Sequence, residues 1–221
     1  MSTRGLVYLH GFASSPRSSK ARFFEQRAAE AGIPFVCPDL NQPDFTSLTV
    51  TRMLDTVDTA IPTLGVSAVA LVGSSLGAFV AIHAAARRAS RVEAAVDVDR
   101  LVMLAPALHL VSGLERDFGP ARMAEWEATG RLPIFHYGDN AERELGWSFM
   151  ADARRYDSAA VALDVPVLIY QGRHDEVVHA ADVERWAGGR SGVTLRLVDD
   201  GHQLLGHLDE MWTEVQRFVS A

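Results

Sequence analysis

Two segments of this 221-residue chain, VALVG (Val69–Gly73) and VLIYQG (Val167–Gly172), are apolar on nearly every successive position rather than on alternate ones. A strand with one face in water alternates. A strand apolar throughout has both faces buried, and an open sheet reaches that state only when helices cover it on both sides. The rest of the chain offers the other parts. Strands are predicted at Gly5–His10, Ile33–Pro38, Ser67–Gly73, Arg100–Ala105, Val165–Gly172 and Val193–Val198. Helices are predicted at Ser19–Ala31, with Ala21, Phe24, Ala28 and Ala31 on one face and Gly32 as the stop, and after a cap at Thr46 or Ser47. Further helices fall at Leu76–Ala89, about Ala180–Ala187 and Gly206–Ser220. Strand followed by helix with short connections predicts a mainly parallel α/β sheet of about six strands, helices on both faces, in a single domain over 1–221.

The rhythm breaks once. Pro106–Ala160 carries no convincing strand and is rich in aromatics: Trp126, Phe135, Tyr137, Trp147 and Phe149. An insertion of that length between sheet strands is usually functional, and a lid over about 107–160 is expected.

Gly73-Ser74-Ser75-Leu76-Gly77 matches G-x-S-x-G, directly after an apolar strand and directly before an Ala-rich helix. That context is what a nucleophilic serine needs. The turn is too tight for side chains at its flanks, hence the glycines, and it presents Ser75 Oγ at the strand's carboxyl end. The N–H of Leu76, at the helix start, then points toward any oxyanion forming on a bound carbonyl. A second donor is expected from the loop after an early strand, where His10-Gly11-Phe12 places the N–H of Phe12.

A serine elbow of this kind is followed along the chain by an acid and then a histidine. Asp175 stands in the loop after Val165–Gly172, and His202 just past Val193–Val198. Both therefore leave the same sheet edge as Ser75. Glu176 and His207 are weaker competitors, Glu176 because adjacent side chains point apart and His207 because it falls inside the predicted last helix. Asp199 and Asp200 read as a surface turn. His83, on the helix after the elbow, reads as packed or half-buried, His174 and His179 flank the acid loop without an evident role, His109 and His136 are candidates for lining a pocket, and no H-x-x-H or H-E-x-x-H spacing suggests a metal. Cys37 reads as a small core residue.

Composition excludes other classes. The net charge is −7, so a polyanion partner such as nucleic acid is not expected, and Arg87, Arg88 and Arg91 read as cations closing a helix. Lys20 is the single lysine among 21 basic residues, which reads as a genomic bias rather than as chemistry. No apolar run approaches the roughly 20 residues of a membrane span, and the short apolar stretch after Arg4 does not make a signal peptide; the cytoplasm is the expected compartment.

VYLHGFASSPRSSKA (Val7–Ala21), GSSLGAF (Gly73–Phe79), QGRHDEVV and the later Gly-His pair together resemble the α/β-hydrolase superfamily, and more narrowly the small bacterial YqiA-like serine esterases. Ser14-Ser15-Pro16-Arg17 is the most specific part, since nothing in the generic fold demands it. The resemblance covers about half of the chain and leaves out Ala107–Ala160. It implies a reduced α/β-hydrolase sheet and a serine carboxylesterase for small-molecule acyl esters, with Ser75, Asp175 and His202 at the triad positions and no cofactor. An acyl thioesterase using the same triad, and a non-catalytic binding protein on the same fold, stay open at this point. So do the physiological ester and the oligomeric state.

Overall fold

The computed structural model describes residues 4–90 and 95–220. Six parallel strands form the central sheet in the order β2(Phe35–Val36), β1(Arg4–Leu9), β3(Ala68–Ser74), β4(Asp97–Leu104), β7(Val167–Gly172), β8(Val193–Val198). The chain runs outward from β1 to β2, then crosses back to place β3 on the other side of β1. The strand order therefore reverses between β1 and β3, the place where open α/β sheets leave a crevice beyond their carboxyl ends.

Each face of the sheet has its own core. One is built from Leu6, Tyr8, Ala70, Val72, Val102 and Leu104 beneath α1(Ser19–Glu30) and α7(Leu208–Ser220), with Phe24 packed edge-on against Trp212. The opposite core holds Val7, Leu9, Val69, Leu71, Leu101 and Met103 under α2(Val50–Ala60), α3(Leu76–Ala89) and α6(Ala180–Gly188). The period-one apolar strands thus satisfy two helical layers at once.

Several boundaries differ from expectation for identifiable reasons. The second strand shrinks to Phe35–Val36 because Pro34 and Pro38 on either side lack an N–H, while Pro34 O accepts from Leu6 N at 2.8 Å. Helix α2 is capped by Thr49, whose side chain accepts from Arg52 N, and not by Thr46 or Ser47. Thr46 uses its carbonyl to accept from Gly146 N, and Ser47 is tied to Asp44. The last helix begins at Leu208, with His207 in a short 3-10 turn ahead of it. Arg87 and Arg88 do end α3, pairing with Asp55 and Asp58; Arg91 lies outside the described residues.

The segment between β4 and β7 contains regular structure that its sequence conceals. Helix α4(Leu110–Thr129) is broken at Gly119–Pro120, where Gly119 takes φ 73°. It leads into an antiparallel hairpin, β5(Arg131–His136) and β6(Ala141–Gly146), and then α5(Ser148–Ala153). The hairpin corrects the expectation of no strand. Leu132 and His136 face inward at period two, but Pro133 interrupts the run and the partner strand exposes Glu142, Arg143 and Glu144. Trp126 anchors the insertion, buried against Trp147 and donating its indole N–H to Leu145 O at 3.0 Å.

Candidate active site

Ser75 sits between the last residue of β3 and the first of α3 with φ 54° and ψ −114°, a conformation costly for a side chain with a β-carbon. The surroundings hold it there. Ser75 N donates to Leu104 O, and Ser75 O accepts from Ala78 N and Ala107 N. Glycine at 73 and 77 is required by space: a β-carbon on Gly77 would run into the carbonyl of Leu9, and one on Gly73 into Gly77 O and the Ala78 backbone. Ala13, Ala105 and Leu204 also take positive φ, in the connections that leave β1, β4 and β8 at this same edge. Strain is concentrated where the loops converge.

Asp175 follows β7 and is buried, its side chain 0 % exposed. Its Oδ1 accepts from Val177 N and Val178 N at 2.9 and 2.8 Å, and its Oδ2 from Gln171 Nε2 at 3.0 Å. Burial alone would raise the carboxyl pKa, but hydrogen bonds from His202, the Val178 backbone and Gln171 outweigh it and hold the group below the usual carboxylate range. His202 Nδ1 lies 2.9 Å from Asp175 Oδ2. With Nδ1–H donating to the carboxylate, Nε2 is left with its lone pair. The 17 % exposure of that imidazole opens toward a cavity that Ser75 also lines. Ser75 Oγ makes no hydrogen bond among the described residues, so the structure brings Asp175 and His202 into contact and leaves Ser75 beside them.

Leu76 opens α3, where an N–H has no acceptor within the helix. The N–H of Phe12 likewise finds no acceptor among the described residues, and both residues line a cavity with Ser75. Their loop is braced by His10, whose Nδ1 lies 3.0 Å from Gly11 O and whose Nε2 accepts from Leu40 N at 3.0 Å.

Gln171 escaped the sequence reading. It is buried at the end of β7, and its amide N–H groups reach Gly172 O, Val178 O and Asp175 Oδ2, tying the acid loop to its strand. The available signal was a lone polar residue closing an apolar strand. The remaining histidines divide. His207 pairs with Asp200 at 3.2 Å and His174 with Asp199 at 2.6 Å. His83 is buried against Ser158, and burial pulls its pKa down to about 4. His109 lines the apolar cavity, while His136 lines a separate polar cleft. Among the described residues no cluster of three His, Cys, Asp or Glu side chains is disposed to hold a metal ion. No helix among them is long and apolar enough to cross a membrane.

Two cavities meet at Ser75. The first, about 400 Å³, runs beneath the insertion and is lined by Leu108, Leu110, Leu114, Phe118, Ile134 and Phe135 among others. Of the insertion's apolar residues, Trp126, Leu132, Phe149 and Met150 are packed into the core. Ile134 and Phe135 face the cavity. The second cavity, about 880 Å³, lies on the side of His202.

A family model described as an uncharacterised protein family, UPF0227, matches residues 5–219. No curated protein matches the chain. Among solved structures, a hydrolase candidate from Agrobacterium vitis S4 superposes with a TM-score of 0.88 at 23 % identity, over 98 % of this chain and 88 % of that one. Alpha/beta hydrolase domain-containing protein 10 from mouse gives 0.77 at 20 % identity over 99 % and 90 %. Est1E from Butyrivibrio proteoclasticus gives 0.72 at 19 % identity over 99 % and 88 %. These likenesses establish the α/β-hydrolase fold.

Proposed function

The chain belongs to the UPF0227 family and has the α/β-hydrolase fold, and from that premise we propose that it is a serine hydrolase of carboxylic esters, acting through an acyl-enzyme on Ser75. The observation that carries this reading is the coincidence of a strained serine at the β3–α3 turn with a buried Asp175–His202 pair at 2.9 Å on the same sheet edge. Its support from the comparisons is of fold, together with neighbours that include esterases.

The chemistry runs as follows. Ser75 Oγ adds to the ester carbonyl as His202 Nε2 takes its proton, and the resulting imidazolium is stabilised by Asp175, which stays ionised. The oxyanion accepts from the N–H groups of Phe12 and Leu76. Collapse breaks the carbon–oxygen bond to the alcohol, which leaves with the proton from His202. Water, deprotonated by the same imidazole, then adds to the acyl group and frees Ser75. The acyl chain occupies the apolar cavity, and the insertion acts as a cap over it.

Hydrolysis of para-nitrophenyl butyrate tests the proposal. Ser75→Ala should fold normally and lose about 10⁴-fold or more in kcat/KM, because only binding and the oxyanion donors remain. A variant that keeps its rate within about tenfold of wild type rules out Ser75 as the nucleophile.

A further inference from the structure

The two cavities at Ser75 differ in character, and His202 decides which part of an ester each takes. It lines the larger cavity and not the apolar one. The group that returns a proton to the departing alcohol must reach its oxygen, so the larger cavity is the leaving-group side.

That side is cationic. In a chain of net charge −7, its lining includes Arg17, Lys20 and Arg22 and no aspartate or glutamate. It is also lined by Ser14, Ser15, Ser18, Ser19 and Ser74, most of them from the Ser14–Ser19 loop that the generic fold does not require. Lys20 is the notable member. It is the only lysine in the chain, it is just 8 % exposed, and it makes no hydrogen bond or ion pair among the described residues. Asp175 and Asp200 are the carboxylates that act on it, yet the lone pairs of Asp175 go to Val177, Val178, Gln171 and His202. Those of Asp200 go to Gly201, Gly206 and His207. Arg17 and Arg22 are exposed and likewise form no ion pair among the described residues. The Lys20 stem is buried while its ammonium, without a protein partner, lines the cavity, so an anion entering there gains a charge-assisted hydrogen bond. Burial lowers the Lys20 pKa to about 8, against the pull of Asp175 and Asp200, which leaves the amine mostly protonated near neutral pH.

We propose that Lys20, assisted by Arg17 and Arg22, forms a subsite for a negatively charged leaving group, so that the preferred substrates are esters whose alcohol part carries a carboxylate or a phosphate. The proposal rests on Ser75 being the nucleophile only for the word substrate; the anion site itself stands on Lys20 and its cavity.

Butyryl esters of para-hydroxybenzoate, of para-hydroxyphenyl phosphate and of methyl para-hydroxybenzoate share an acyl group and differ in leaving-group charge. Lys20→Met should lower kcat/KM on the two charged esters about tenfold or more beyond any change on the neutral one, as expected for loss of a hydrogen bond to a charged group. Arg17→Gln and Arg22→Gln, at exposed positions, should each give about a two- to threefold differential that added salt erases. The ranking of the two charged esters tells carboxylate from phosphate. Equal effects on all three esters, or none, overturn the subsite. A second measurement needs no turnover: because Lys20 is the sole lysine, its modification by an amine-reactive reagent is read directly by peptide mass. Free para-hydroxybenzoate or para-hydroxyphenyl phosphate should protect it, and methyl para-hydroxybenzoate should not. Protection without hydrolysis of any ester would retain the anion site and discard the esterase reading. Hydrolysis without protection or charge preference would do the reverse.

Discussion

The carboxyl edge of the sheet and the insertion above it are held in place by different means. At the edge, backbone meets backbone: Gly77 packs on the Leu9 carbonyl, Gly73 on the start of α3, and Gly172 on the carbonyls of Asp200 and Gly201. Strand register sets Ser74 beside Leu104, Leu104 beside Tyr170 and Gly172 beside Val198, which fixes, through β4, the loops carrying Ser75, Asp175 and His202 relative to one another. The insertion instead rests on side chains, with Trp126, Phe149 and Met150 buried as anchors while a kinked helix and an isolated hairpin carry the cavity wall. Gly73, Gly77 and Gly172 leave no room for a β-carbon. On the proposed function, this contrast divides the molecule into an edge that does the chemistry and an insertion that selects the acyl group.

That division is broken most sharply by exchanging histidines. His202→Ala should cost as much as Ser75→Ala, about 10⁴-fold, because the two act as one unit. His207→Ala, five residues on and bonded to Asp200, should stay within about tenfold of wild type. Rates on para-nitrophenyl butyrate decide between them, and the opposite ranking would move the base to the 3-10 turn.

The insertion's part is sharpened by chain length. Each methylene that enters the apolar cavity should raise kcat/KM about fourfold, from roughly 0.8 kcal/mol of burial, until the chain outgrows the space. The expected maximum is at butyrate or hexanoate. Ile134→Trp, filling the wall, should shift it toward acetate with little effect on acetate itself. A profile unchanged by Ile134→Trp would show that the acyl chain lies elsewhere.

A smaller effect concerns pH and leaves catalysis aside. His83 is buried beside Ser158 with its pKa drawn down to about 4, so the unfolded chain binds more protons than the folded one between that value and the ordinary imidazole range. Stability should therefore rise with pH from about 4 to about 6.5, by at most about 1.4 kcal/mol per pH unit from this group. His83→Gln should flatten that slope in denaturant titrations, and an unaltered slope would assign it to other groups.

The same contrast explains what the sequence made legible. Helix α3 runs over Leu76–Ala89 as expected because the G-x-S-x-G turn marks a tight corner, and β8 over Val193–Val198 because its apolar residues alternate with the exposed Thr194 and Arg196. Asp175 and His202 were found from chain order and strand ends, and their hydrogen bond follows from strand register. The hairpin was missed because its second strand, AERELG, is charged on its exposed positions and pairs only with β5. The turn Gly138-Asp139-Asn140, with Asn140 at φ 51°, was its one usable cue. Gln171 and Lys20 were passed over for a different reason: their meaning lies in what surrounds them, a buried carboxylate for one and a cation-lined cavity for the other.

The most direct test of the central claim is labelling with a fluorophosphonate, which phosphonylates an activated serine and no other. One adduct per chain, mapped to Ser75, slowed by para-nitrophenyl butyrate and absent from Ser75→Ala and His202→Ala, is the result expected from the strained turn and the Asp175–His202 pair. A wild-type chain that takes no label, or a Ser75→Ala variant that keeps it, would contradict the claim that this sheet edge is an esterase site.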